Sequence, residues 1–529
     1  MIQAKAKRYI SALLAAVLLL SLAACGKKDP PADGEDYVQG ELAGTEVGSV
    51  HAADSIFSLN TRAKEGFNPY VTKSTDNQLL CQLVYENIFN VDEDFNLSSR
   101  IITDYEDKDG TYWYFHVDTS ILMHDGEKLT AADVAYSIQQ AMIAARYAGR
   151  FSYVWGASAS DENTVAVSLS TPNEQLPYLL TVPVIKNGSK GENTPIGTGA
   201  YKFAEDKKSL VAFDGYPNWK DLPVDTIGMK EYDSTEEGIS AYEDSYIDLV
   251  LNDPASSTNL GYGGGNEQRY FTTNNMHYLG INMKSPCLRD TAIRYALQYA
   301  VDRKYAAKTL MHGAAAAASL PISPASPLYN TELASKYAYN MEKCEKVLAN
   351  AGVQDYDADG KLEYMVTGIP MELALDLIVC GESTGKADTA RKFKEDLGAI
   401  GFTVNIRELP WDEYLQALED GEFDIYYGEV RLTADFSLTR LLTEEGDLNY
   451  CEIEDPSYGA YIEQYLAAGD DMRKNCCDIL LQYITETAPI IPICFEKQEV
   501  ITHRNVASGL ILSQYNIFQN FPDWTINFD

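Results

Sequence analysis

The chain is short of positive charge: 42 lysines and arginines stand against 78 aspartates and glutamates, a formal net charge of −36 over 529 residues. Nucleic-acid binding needs Lys and Arg clustered on one surface, and an acidic excess of this size repels phosphate, so that class of partner is excluded. Histidine is scarce as well, with six in all and none clustered, which weakens any reading that needs a histidine-rich metal centre. No CxxC pair occurs among the nine cysteines, so zinc and thioredoxin readings lack support. Apart from Cys25, most cysteines sit in apolar patterns such as "LIVC" and "IPICF", where a free thiol acts as a small buried hydrophobe. They are expected to be reduced core residues. The chain also lacks a short internal repeat, and beyond its N-terminus it has no apolar run near the ~20 residues that a membrane span needs. A soluble body is therefore expected.

What is present begins with the N-terminus. Lys5, Lys7 and Arg8 form a basic region, "ISALLAAVLLLSLAA" an apolar one, and small residues lead into Cys25, the pattern of a secretory signal. "LAAC" (Leu22 to Cys25) resembles a bacterial lipobox, which implies a signal peptide over residues 1–24 and a diacylglycerol on Cys25. Residues 25–50 are rich in Gly, Pro, Asp and Glu and cannot bury a core, so they read as a flexible tether, with folding expected to begin near His51. The remaining length allows roughly two to four domains.

Along the body, "NQLLCQLVYENIF" (Asn77 to Phe89) has helical apolar spacing, and "DKDG" turns into the alternating strand "YWYFHVDTSILM". His116, inside that strand, reads as a packed or solvated residue. In "MHDGEKLTAADVAYSI", Asp125-Gly126 closes a turn and Thr130 caps a helix with Asp133 in the capping-box position, so the carboxylates serve backbone amides and His124 needs no chemical role. "HYLGINM" (His277 to Met283) reads as a short apolar strand, followed by a continuous helix over residues 289–310 and a loop "AAAAASLPISPASPLYN". Strand "ELALDLIVC", helix "KADTARKFKEDLGAIG" and strand "FTVNIREL" make a βαβ unit, so this part is α/β with parallel pairing. "FDIYYGEV" adds a strand, and a helix beginning at "DDMRKNCC" leads into another at "IPICF".

Together these stretches resemble the peptide- and nickel-type solute-binding proteins of bacterial ABC importers, known as family 5. "LVYENIF", "DGTYWYFHV", "MHDGEKLTAADVAYSI", "PIGTGAYKF", "YLGINM", "RDTAIRYALQYAVDR", "YAYNMEKCEKVLANAG", "LGAIGFTVNIRELPWDEYLQALEDGEFDIYYGE" and "APIIPI" occur in that family's order from about residue 50 onward. The resemblance implies an α/β, two-lobed periplasmic-binding-protein-like fold with an extra domain inserted in the first lobe. Lobe one would comprise 51–72, 198–282 and 503–529, the inserted domain 73–197, and lobe two 283–502. It further implies a non-enzymatic receptor, without cofactor and expected to be a monomer, lipid-anchored outside the cytoplasm through Cys25. Such a receptor captures oligopeptides between its lobes and delivers them to the importer's transmembrane subunits. A nickel chelate or a signalling peptide is the alternative cargo.

Relatives that bind peptides place an acid for the ligand's amine after the strand matching "FDIYYGE", within a glycine-tryptophan and aspartate-proline pattern. Here Glu429 replaces the tryptophan, Asp435-Phe436 stands for aspartate-proline, and the amine position falls nearest Leu432. Arg431 is either a carboxylate ligand or part of an internal ion-pair network with Glu429 and Asp435. Trp411 and Tyr427 are candidates to line side-chain pockets. "DYDADG" offers Asp355, Asp357 and Asp359 in the spacing of a calcium loop, but its twelfth position is Val366, so a solvated turn is the expected reading. "GESTG" places Ser383 in a GxSxG turn after a strand. A secreted serine esterase is thus the rival from another class, with His503 the only histidine downstream and no HGGG-type loop.

Overall fold

Two strands far longer than their neighbours, Asn266–Ile281 and Ile490–His503, run antiparallel through the middle of the molecule. The structure is a computed structural model that describes residues 55–147, 149–256, 261–262 and 265–528; the signal, Cys25 and the tether lie outside the described residues. On one side of the long pair lie Ile425–Arg431, Ala374–Cys380 and Thr403–Leu409; on the other lie Leu249–Asn252, Phe57–Thr61, Thr226–Glu231, Ser209–Ala212 and Tyr201–Phe203, all in one eleven-stranded mixed sheet. The architecture is α/β. Ala374–Cys380 and Thr403–Leu409 are parallel and joined by helix Thr384–Gly398, which buries Ala387, Ala390, Phe393 and Leu397 and is followed by a left-handed turn at Gly401 (φ 95°).

A separate four-stranded antiparallel sheet, built from Ile102–Lys108, Tyr112–Val117, Thr164–Leu169 and Val154–Ala159, packs helix Ala131–Ile143 against its own core of Trp113, Phe115, Val134, Ile138, Val165 and Val167. The capping box forms as the sequence indicates: Thr130 Oγ1 accepts from Asp133 N, and Asp133 Oδ2 accepts from Thr130 N at 2.9 Å. His124 Nε2 bonds Gly199 O at 3.0 Å and its ring meets Phe213 edge-on, while Asp125 pairs with Lys186. Burial pushes the His124 imidazole down to about 4, so it pins a loop as a neutral ring. His116 Nδ1 meets Thr164 Oγ1 at 3.3 Å.

The structure revises three expected elements. The first helix is Thr75–Val84, not residues 77–89, with Ser74 as its cap. It stops because the glycine turn packs on its end: Gly199 N donates to Val84 O at 2.9 Å, and a Cβ at Gly197 would sit 2.4 Å from that same oxygen. The strand at His277–Met283 is only the end of the 16-residue strand Asn266–Ile281, whose first half alternates too weakly in polarity to announce itself. The helix over 289–310 is broken into Thr291–Leu297, a 3-10 turn Gln298–Ala300, Arg303–Tyr305 and a π turn Ala306–Leu310. Asp302 starts a new cap on Tyr305 N, and the buried Arg303 donates to Gln298 O, Tyr337 O and Pro492 O, holding the break open. The following loop also contains a short strand, Ala315–Ala317, on the edge of residues 494–496.

All eight described cysteines are buried and free. Among the described residues no helix is long and apolar enough to cross a membrane.

Candidate ligand-binding site

The long ladder shifts register twice, between Thr272 and Met276 and again between His277 and Tyr278. Thr272 faces Lys497 and the next pair is Met276 with Phe495, so Thr273, Asn274 and Asn275 together oppose Glu496 alone. Thr273 Oγ1 donates to Glu496 O at 3.0 Å and accepts from Asn275 N at 3.1 Å, substituting for the lost ladder bonds. Bulges of this kind bend a strand and re-aim its side chains. Here they are re-aimed toward Ile425–Arg431, where His277 faces Glu429 and Asn275 faces Arg431. The register is locked by reciprocal tyrosine-glycine pairs: a Cβ at Gly428 would lie 2.5 Å from the Tyr278 ring and one at Gly280 2.1 Å from the Tyr426 ring, while the two hydroxyls meet at 3.0 Å.

An acidic cluster forms beside the bulge. His277, 2% exposed, bonds Glu496 Oε1 through Nε2 at 2.7 Å and Tyr427 OH through Nδ1 at 3.1 Å, and Glu429 Oε2 lies 4.0 Å from Nε2. Asn275 donates to both Glu429 and Glu496, and Lys386 pairs with Glu429. Burial pushes the Glu429 carboxyl up, but Lys386, His277 and Asn275 together hold it below its usual range. Asp253 moves the other way, raised by burial and then by the charges of Glu496 and Glu429. Glu429 and Glu496 thus share the Asn275 amide, with Lys386 on Glu429 and the His277 imidazole on Glu496.

Two residues further along the strand, Arg431 projects from the same face. It is exposed to solvent, and desolvation by the neighbouring protein is the main cause depressing its guanidinium pKa, followed by the charges of Arg146 and Arg150. Among the described residues Arg431 makes no ion pair, so the internal network with Glu429 and Asp435 does not form. Asp435 is 1% exposed and spent on other donors: Thr433 Oγ1 at 2.5 Å, Ser437 N at 3.1 Å and Asn173 Nδ2 at 3.1 Å. Tyr427 is buried, and its hydroxyl meets His277 Nδ1 at 3.1 Å. Trp411, half exposed, opens helix Trp411–Glu419 and stacks on Tyr414. Leu432, nearest the relatives' amine position, is buried and apolar.

Ser383 precedes its helix without a side-chain cap bond, and His503, at the far end of the second long strand, is stacked on Tyr242 at 4.1 Å, so no nucleophile-base pair forms between them. Asp355, Asp357 and Asp359 turn their carboxylates onto the amides of Asp359, Gly360 and Lys361, and together with Glu363 they bring one carboxylate oxygen each to within 4.8 Å of one another. Sequence reasoning missed His277, Glu496, Asp253, Asn275, Lys386, Arg146 and Arg150. A polar residue within apolar strand text, as in "NMHYL" and "ICFEK", was the available signal.

Three comparisons bear on this arrangement. The family model described as bacterial extracellular solute-binding proteins, family 5 Middle, matches residues 96–437. The chain is 23% identical over 439 residues to the oligopeptide-binding protein AppA of Bacillus subtilis, covering 77% of each chain. It is also 23% identical over 430 residues to a dipeptide-binding protein of Escherichia coli, covering 72% of this chain and 76% of that one. A crystal structure of NikA from Brucella suis in complex with Fe(III)-EDTA superposes with a TM-score of 0.69 at 20% identity, over 89% of this chain and all of that one, which shows a shared two-lobed fold.

Proposed function

Because the chain belongs to the bacterial extracellular solute-binding proteins of family 5, we propose that it captures short peptides by both ends and passes them unchanged to the transmembrane subunits of an ABC importer. One observation carries this reading: an acidic cluster and an unpaired arginine stand two residues apart on one face of one strand, beside the bulge. Two residues along a strand advance about 7 Å, and the ends of an extended dipeptide lie about 7 Å apart. The ligand's amine joins Glu429, Glu496 and Asp253; its carboxylate meets Arg431.

In this reading residues 51–72, 198–282 and 503–529 form lobe one, 73–197 the inserted domain and 283–502 lobe two, with rotation about the bulge at Thr273–Asn275. Closure follows from a ligand that touches both lobes, since only contacts absent from the open state shift that equilibrium. Cys25 carries the lipid that holds the receptor at the outer face of the membrane.

Calorimetric titration of the purified body with Ala-Ala and its end-blocked forms tests the reading. Glu429→Gln should weaken Ala-Ala but not its N-acetyl form, and Arg431→Gln should weaken Ala-Ala but not its amide; wild-type affinities in both variants would refute it. A nickel chelate is the second reading, because His277, Glu429 and Glu496 hold their donor atoms within 4.8 Å of one another. Lys386 already pairs with Glu429 there, which opposes a bare metal ion.

A further inference from the structure

The four-stranded sheet and the body that carries Arg431 keep separate cores, yet a set of contacts bridges them. Phe95, on the turn between strands Asn90–Val91 and Leu97–Ser98, reaches across to pack on the second core, its ring 5.7 Å from that of Phe436. Asn173, 1% exposed, donates through Nδ2 to Asp435 Oδ2 at 3.1 Å, and Glu174 N donates to Leu466 O at 2.9 Å. Tyr465 OH donates to Asp435 O at 2.7 Å and lies 3.4 Å from Gln175 Oε1.

We propose that this clasp is a latch on the ligand site: it parts when the receptor opens and re-forms on closure, so that Phe95 and Asn173 are positioning residues for ligand capture without touching the ligand. The proposal rests on the peptide reading above and adds to it residues of the inserted domain.

Three features mark the seam as one that parts. Phe95 and Phe436 both hold left-handed backbone, with φ 64° and 51°, a region that bulky side chains rarely adopt and that persists only where the surroundings enforce it. Asp92 enforces it at Phe95, taking the amides of Asp94 and Asn96 on Oδ1 at 2.9 and 2.7 Å. The seam also leaves a donor unmet: Gln175 is 3% exposed and its Nε2 finds no hydrogen-bond partner among the described residues, whereas a permanent core satisfies its polar groups. Finally, Asp435 divides its oxygens between the two sides. Oδ1 is held within its own segment by Thr433 Oγ1 at 2.5 Å and Ser437 N at 3.1 Å, so only Oδ2 depends on Asn173 and passes to water when the seam opens.

A short segment connects the clasp to the site. Arg431 ends its strand, Leu432 N donates to Asn274 O at 2.9 Å, and Asn274 Nδ2 donates to Thr433 O at 3.3 Å, so the bulge grips one end of the segment. Asp435 and Phe436 give the other end to the clasp. Rotation at the bulge therefore carries Arg431 and the clasp together, and contacts made only in the closed state add to the hold on the ligand.

The test is calorimetry and stopped-flow release of Ala-Ala on the purified chain, on Asn173→Ala and on Phe95→Ala, beside the urea midpoint of each free chain. Both variants should weaken Ala-Ala about 5- to 30-fold, through faster dissociation at an unchanged association rate, while the free chain keeps its midpoint. Phe95→Leu, which keeps an apolar side chain on the second core, should recover most of the affinity. Wild-type affinity in both alanine variants overturns the proposal and leaves the peptide reading intact. A free-chain midpoint that falls in both variants also overturns it, because a contact absent from the open state cannot support the free chain. Absence of Ala-Ala binding by the wild-type chain sinks both.

Discussion

Replacing His277 by Phe tests the centre of the site, because it keeps ring volume in a position that is 2% exposed and removes two hydrogen bonds. The bond to Glu496, 2.7 Å long with a charged acceptor, should contribute about 1.5–3 kcal/mol, and loss of the Tyr427 contact about 1 kcal/mol more. The expected loss in unfolding free energy is therefore about 3 kcal/mol, read from the denaturant midpoint in urea. Glu496→Gln, made alone and together with His277→Phe, completes a cycle that isolates the pair, with an expected coupling of about 1.5–3 kcal/mol. A coupling within about 0.5 kcal/mol of zero would show that the imidazole and the carboxylate do not depend on each other, and the account of the acidic cluster would fail.

Other perturbations reach the scaffold. Gly428→Ala forces a methyl into the Tyr278 ring and should cost about 1–3 kcal/mol in the same urea assay, whereas Gly126→Ala has open space but a φ of 87° and should cost less. Thr130→Ala removes the capping box and should cost about 1 kcal/mol. His124 is held neutral well below its ordinary value of 6.5, so its contribution is complete above that pH and is lost as pH falls toward about 4; His124→Gln should flatten stability by about 2 kcal/mol across that window. Burial pushes the Cys81, Cys344, Cys451 and Cys477 thiols up to about 12, so stability from keeping them neutral is full below about 9 and declines as pH rises toward 12. Iodoacetamide at pH 8 should leave the eight described cysteines unmodified in the native state and label them all in urea.

Local chemistry made parts of this molecule readable in the sequence. The Thr130–Asp133 cap and the βαβ unit around helix Thr384–Gly398 depend on residues a few positions apart, so their signals are concentrated. The bulge depends on Thr272 meeting Lys497 and Met276 meeting Phe495, pairings made across more than two hundred residues, and no short stretch encodes them. Tyr427 lies on the strand that the sequence indicates, whereas the contact of its hydroxyl with His277 joins residues 150 positions apart and has no local signal. Asp435 was expected near the cleft and is buried, because Asn173, 262 positions away, closes over it.

The two long strands have a mechanical consequence. Their shared ladder runs in unbroken register from Asn266–His503 to Thr272–Lys497, then shifts at Thr272–Met276 and again at His277–Tyr278, so the irregular backbone is confined to one short stretch. In the closure proposed above, the resistance to swinging is set by the torsions of this stretch and by the Asn274 contacts to Gln514 and Tyr515. Stiffness in the arms thus confines compliance to one short joint.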